Sequence, residues 1–141
     1  MQRTSYLALA VTTWVLAVAP CVAETVTLRG DLKGGNEVPP NNSTASGTAE
    51  ASLDTATRRL SWTITYSGLT GPASGAHFHG PAESGRNAGI ALPFPGTITS
   101  PITGSATLNE AQAADLLAGR WYANIHTAAH PGGELRGQMV K

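Results

Sequence analysis

The 141-residue chain carries nine Lys and Arg against nine Asp and Glu, a formal net charge of +0, with 13% of its residues charged. No basic cluster is present to neutralise a polyanion, so nucleic acid and an anionic membrane surface are excluded as partners by electrostatics. A single cysteine, Cys21, excludes an internal disulfide framework.

Arg3 precedes an apolar run from Tyr6 to Val18, followed by Pro20 and the small-residue string "CVAE". Thirteen residues suit the core of a signal peptide, about 7–15 residues, and fall short of the roughly 20 that span a bilayer. The expected cleavage follows Ala23, so 1–23 reads as a signal peptide and 24–141 as one domain with no membrane span. Lipidation of Cys21 is the weaker alternative, because Pro20 stands directly before it. Cleavage removes Cys21 and Arg3, leaving 118 residues with eight basic and nine acidic side chains. A domain of that length holds together by core packing without a disulfide.

Short alternating runs separated by Gly, Pro, Asn and Ser predict an all-β sandwich or barrel. Thr25–Leu32 reads as the first strand. Lys33–Ser46 has no usable period and is too long for a hairpin turn, which marks it as a functional or loosely ordered loop. It carries overlapping sequons at Asn41 and Asn42, relevant only where the source glycosylates exported proteins. Gly47–Asp54 and Arg59–Leu69 flank "DTATR" as a hairpin, with Leu60, Trp62, Ile64 and Tyr66 on one face of the second strand. "SGAHFHG", "GIALPF" and a broken strand in "GTITSPITGSATL" follow. "NEAQAADLLAG" predicts a helix of about three turns, with Asn109 as N-cap, Gly119 as stop, and Leu116 and Leu117 docking it on the sheet. "RWYANIHT" and "GELRGQMV" supply the last strands. A repeated "LRG", at Leu28–Gly30 and Leu135–Gly137, is too short to read as an internal repeat.

Alternation along a strand sorts the reactive residues. In "AHFH", Phe78 takes the core face and His77 and His79 the other. Trp121, Ala123 and Ile125 oppose Tyr122, Asn124 and His126, while Leu135, Gly137 and Met139 oppose Glu134, Arg136 and Gln138. If these strands are neighbours, one outward face gathers His77, His79, His126, Glu134 and Arg136. Neutral imidazoles in proximity suit Cu²⁺ or Zn²⁺, and without a thiolate or thioether beside them Cu²⁺ fits better than Cu⁺. The alternative is that the histidines only hydrogen-bond to backbone carbonyls. His130, in the turn before "PGG", is the least constrained and is expected in solvent. Glu134 and Arg136 read as a surface ion pair. Ser74 and Ser84 lack a nucleophile elbow and a nearby Asp, the carboxylates are scattered, and "GRNAG" lacks the lysine of a phosphate loop. No catalytic residue is therefore assigned.

The strings "LKGGNEVPP", "LSWTITYSGLTG", "AHFHGPAESGRNAG", "LLAGRWYANIHT" and "HPGGELRGQ" together resemble the CHRD domain, the family named for its repeats in chordin. The resemblance spans Leu28 to Gln138. Ala123 stands where the family commonly has Val, Phe78 where it has Ile, and His130 is an addition to the pattern. The resemblance implies an exported, immunoglobulin-like Greek-key β-sandwich, to which the residues themselves add one short helix. It implies fold more than function. "GAHFHGPAESG" is also similar to the strand of copper–zinc superoxide dismutases whose two histidines bind copper outside a Greek-key barrel. That similarity implies His77 and His79 as ligands and adds His126 as a third, although the zinc ligands and disulfide of those enzymes are missing here.

The expected protein is a secreted or periplasmic binding module with a surface site at His77, His79 and His126 for Cu²⁺, ahead of Zn²⁺. Its protein partner, extracellular or periplasmic, is not named by the sequence. One alternative is a copper-dependent dismutase-like enzyme in which Arg136 attracts an anionic substrate. The other is an adhesion or matrix module that binds no metal.

Overall fold

The structure is a computed structural model and describes residues 23–141. The signal peptide expected at 1–23 lies outside the described residues, Ala23 apart. Among the described residues no helix is long and apolar enough to cross a membrane. They form strands β1 (Thr25–Lys33), β2 (Ser46–Asp54), β3 (Arg59–Ser67), β4 (Ala73–His79), β5 (Ile90–Pro93) and β6 (Ile102–Thr107). Helix α1 (Glu110–Leu117) precedes β7 (Tyr122–Thr127) and β8 (Leu135–Gln138). All strand pairs are antiparallel, in the order β5-β4-β7-β8-β1-β2-β3-β6. Neighbours such as β4–β7 and β3–β6 are distant in sequence, so the connections cross over the sheet in the manner of a Greek key.

The sheet folds onto itself at the β8–β1 junction, where strand pairing shrinks to Lys33–Arg136 with an isolated bridge from Arg29 to Val140. Two glycines make the tight crossing possible. A Cβ on Gly30 would meet the Gln138 carbonyl oxygen at 3.0 Å, and one on Gly137 would meet that of Asp31 at 2.8 Å. These are the glycines of the two "LRG" strings, so the short repeat marks the corner of the sandwich. Beyond it the halves face each other. Trp62 of β3 meets Phe78 of β4 edge-on at 5.7 Å between ring centroids, and Phe94 and Trp121 pack on the same cluster. Leu28, Leu60, Ile64, Ile125 and Leu135 complete the core at 0% exposure, and each such side chain stabilises the fold by roughly 1.5–3 kcal/mol.

Several elements are shorter than their sequence patterns. β3 ends at Ser67 rather than Leu69, and the broken strand is confined to Ile102–Thr107, after Pro101, whose ring nitrogen has no hydrogen to donate. The helix spans eight residues, about two turns rather than three. Asn109 and Gln112 form a capping box at its start, Gly119 takes φ +72° just beyond its end, and Leu116 is buried while Leu117 is half-buried.

The larger correction concerns the outer face of β4, β7 and β8. Tyr122, Asn124, Glu134 and Arg136 do lie opposite the core residues, but all four are buried, at 3%, 2%, 0% and 2% exposure. The segment between β1 and β2 meets Asn124 and Glu134, and the loop after β4 meets Tyr122 and Arg136. The β1–β2 segment begins with a 3₁₀ turn, Gly34–Asn36, and is tied down by Asn41, whose Nδ2 donates to the carbonyls of Gly133 and Glu134 at 3.2 and 3.1 Å. The expected surface ion pair is therefore absent: among the described residues Glu134 has no cation beside it. Its Oε1 accepts from Ser43 Oγ at 2.7 Å and Thr70 N at 2.9 Å, and its Oε2 from Thr70 Oγ1 at 2.7 Å and Thr127 Oγ1 at 2.6 Å. Burial works to raise this carboxyl, but the hydrogen bonds from Ser43, Thr127 and Thr70 outweigh it and bring the pKa down to about 2.

A carboxyl depressed in the folded state contributes stability above the ordinary carboxylate pKa of about 4.3 and loses it as the pH falls toward its folded value. Glu134→Gln is expected to cost on the order of 2 kcal/mol at neutral pH and to flatten the acid limb between about pH 4 and pH 2. Urea unfolding across that range tests this; an unchanged acid limb in the variant would contradict the assignment.

Candidate metal centre

β4 lies between β5 and β7, and the β4–β7 register sets Gly75 opposite His126, His77 opposite Asn124 and His79 opposite Tyr122. Alternation puts Gly75, His77 and His79 on the outer face of β4, so His126 lies diagonal to His77, above the space left by Gly75. The three imidazoles meet there. Their centroids are 5.5 Å (His77–His79), 5.3 Å (His77–His126) and 5.8 Å (His79–His126) apart. One nitrogen from each ring lies within 4.8 Å of the others.

Backbone carbonyls fix which nitrogens are available. His79 Nδ1 donates to Ala88 O at 3.0 Å, and His126 Nδ1 donates to Pro131 O at 3.0 Å. A carbonyl only accepts, so each neutral ring carries its proton on Nδ1 and leaves a lone pair on Nε2. His79 Nε2, His126 Nε2 and His77 Nδ1 are buried with no hydrogen-bond partner. Buried polar atoms are rarely left so, and three converging on one point form a donor set. Burial lowers the pKa of His77, helped by His126 and His79; burial also lowers that of His79, helped by His126 and Arg136 and against the Ala88 hydrogen bond. Both rings thus stay in the unprotonated, ligating form to lower pH than an ordinary histidine. Four-coordinate nitrogen donors at 2.0–2.1 Å from an ion stand about 3.3 Å apart, so the trio would need a modest inward movement of the rings to hold one.

Of the five residues expected on this face, the structure brings together His77, His79 and His126 and excludes Glu134 and Arg136. His130 is half-buried rather than free in solvent, because its backbone closes the turn by bonding to Thr127 and Gly133; it lies outside the trio. Arg136 cannot act as a surface lure for anions. Its guanidinium carbon sits 3.5 Å above the Tyr122 ring, Nη1 donates to Asn87 Oδ1 at 2.8 Å, and Nη2 donates to the Arg86 carbonyl. On the other side, the Tyr122 ring stacks on His79, with centroids 5.0 Å apart and an interplanar angle of 4°. The Tyr122 hydroxyl accepts from Ala88 N at 3.1 Å, so the tyrosine and His79 are anchored to the same loop residue.

Sequence reasoning missed four residues. Ala88 and Pro131 act through backbone oxygens, which leave no side-chain signature. Gly75 had a signal, its place two residues before His77 on the same face: a Cβ there would meet His77 Cε1 at 3.1 Å and His126 Cδ2 at 3.6 Å. Glu37 was read only as part of a loop. It is 6% exposed, its Oε1 accepts from Asn124 Nδ2 at 2.6 Å, and burial raises it to about 7, against the lowering by Asn124 and the Arg136 charge.

An antiparallel β-sandwich with three histidines on a loop-covered outer face defines the class of protein, and the sequence comparison gives its family. The profile of the CHRD domain matches residues 28–139, and the chain belongs to that family. No curated protein and no solved structure matches it.

Filling the space at Gly75 should push the rings apart. Gly75→Val is expected to weaken divalent-ion affinity about 10–100-fold while leaving the far-ultraviolet circular dichroism unchanged; an unaltered affinity would remove Gly75 from the site. Glu37 gives a separate pH signature. A carboxyl raised in the folded state contributes stability fully below its ordinary pKa and loses it as the pH rises through about 7. His77 and His79 act in the opposite direction, losing their contribution as the pH falls below about 6.5. Glu37→Gln should therefore remove a decline of roughly 1–3 kcal/mol between pH 5 and pH 8 without touching the acid-side loss; melting curves at both pH values decide it.

Proposed function

We propose that this CHRD domain is an exported binding module whose outer face holds a divalent copper ion through His77 Nδ1, His79 Nε2 and His126 Nε2. The observation that carries the reading is the convergence of three buried, unpartnered imidazole nitrogens, two of them aimed by backbone carbonyls. CHRD domains are binding modules, which favours capture of a ligand over turnover. Three nitrogen donors with no thiolate favour Cu²⁺, and in the order of divalent affinities copper stands above zinc. Export is supported by the apolar leader pattern in 1–23 and by the family's occurrence in secreted proteins. With Arg136 held under the loop, the site has no evident device for drawing in an anionic substrate, so binding is preferred to dismutation.

Copper titration of the purified protein, followed by calorimetry and electron paramagnetic resonance, tests the proposal. One Cu²⁺ per chain with nitrogen hyperfine structure is expected, with binding about 100-fold weaker or worse in His77→Ala and unchanged in His130→Ala. Equal uptake by wild type and His77→Ala would overturn the site. Tighter binding of Zn²⁺ than of Cu²⁺ would overturn the choice of metal.

A further inference from the structure

Between the β1–β2 segment and the loop that follows β4 lies a cleft of about 400 Å³ that the copper reading leaves unused. Its most buried lining residues are Glu37 and Arg136, at 6% and 2% exposure, with Asn36, Gln138, Ser84 and Gly35 around them. Hydrogen-bond accounting shows what these side chains have left to offer. Asn36 Nδ2 is committed to the carbonyls of Asp31 and Arg136, both at 3.0 Å, so its amide oxygen remains free. Gln138 Nε2 is committed to the carbonyls of Ala82 and Gly119 at 2.9 and 2.7 Å, so its oxygen also has no partner. Glu37 spends Oε1 on Asn124 and keeps Oε2 unbonded. Three oxygen acceptors, two from adjacent residues of the β1–β2 segment and one from β8, thus line one cleft, and each is open to a donor that a ligand brings.

The charges decide the class of ligand. Glu37 and Arg136 form no direct ion pair, although the guanidinium charge acts on the carboxyl, so groups of both signs line the cleft. A cationic ligand would face the Arg136 guanidinium and an anionic one the Glu37 carboxylate. A neutral ligand with several hydroxyls donates to the three acceptors and accepts from the remaining guanidinium hydrogens and the Ser84 hydroxyl. We infer that this cleft is a second ligand site of the domain, one that takes a neutral saccharide of one or two rings. Its volume lies at the lower end of the roughly 300–1,000 Å³ of small-molecule sites. The site is separate from the histidines and stands whether or not copper binds.

The test is an amide nitrogen–proton NMR titration of the metal-free purified protein with methyl glucoside and with lactose, using putrescine and inorganic phosphate as charged comparisons. Saturable shifts are expected at 35–38, 84–86 and 136–138, with a Kd of about 1 mM for at least one sugar. Ser84 is exposed and makes no side-chain hydrogen bond, so Ser84→Trp blocks the cleft without disturbing the fold and should weaken that binding at least about tenfold. Glu37→Gln replaces an acceptor by a donor and should also weaken it. No saturable shift at these residues up to about 50 mM of either sugar would overturn the inference. So would a sugar response that survives Ser84→Trp, or a stronger response to putrescine or phosphate.

Discussion

The Glu134 carboxylate is fully buried with no cation beside it, and its four hydrogen bonds come from Ser43, Thr70 and Thr127. Those residues belong to the β1–β2 segment, the β3–β4 connection and β7, three stretches that this one carboxylate joins. A buried charge is tolerated only when its lone pairs are satisfied, so each segment must occupy its place for the others to keep theirs. The cover over the outer face follows from that requirement. With the cover in place, Tyr122, Asn124 and Arg136 pack as an internal polar layer, and the imidazoles beside them lose much of their contact with water.

The histidine array depends on that layer at one remove. Two antiparallel strands and a two-residue side-chain period place His77, His79 and His126 together, while the carbonyls of Ala88 and Pro131 orient two of the rings. Ala88 belongs to the loop that Arg136 holds through Asn87 and Arg86, so the guanidinium helps to fix His79 without touching it. The division is economical: rigid strands set spacing, and loops set ring orientation. It also explains why a glycine is needed at position 75, where the cross-strand partner of His126 must leave room for a second ring.

Much of this was legible in the sequence because a half-buried strand writes its two faces into alternate residues. Phe78 against His77 and His79, and Ile125 against His126, needed no structure to sort. Capping chemistry announced the helix at Asn109. Alternation, however, states only that a side chain points away from the core. Whether water or another segment meets it is a tertiary matter, and here the covering segment was the stretch without periodicity, Lys33–Ser46. Glu134 and Arg136 were misread for that reason: two opposite charges two residues apart look like a surface pair until each is seen to have its own buried partners. The "LRG" strings carried real information, but it concerned a corner made by two strands from opposite ends of the chain.

Asn41 shows how folding can decide between chemically equivalent sites. The overlapping sequons offer two adjacent acceptor nitrogens, and nothing in the local sequence ranks them. In the folded domain the Asn41 amide spends both of its hydrogens on carbonyls beside Glu134, while Asn42 faces solvent. An attached sugar would take one hydrogen from Asn41 and force its bulk beneath the segment that this amide pins down. Only Asn42 is compatible with a glycan on the native structure, so the doubled motif contains a single usable address.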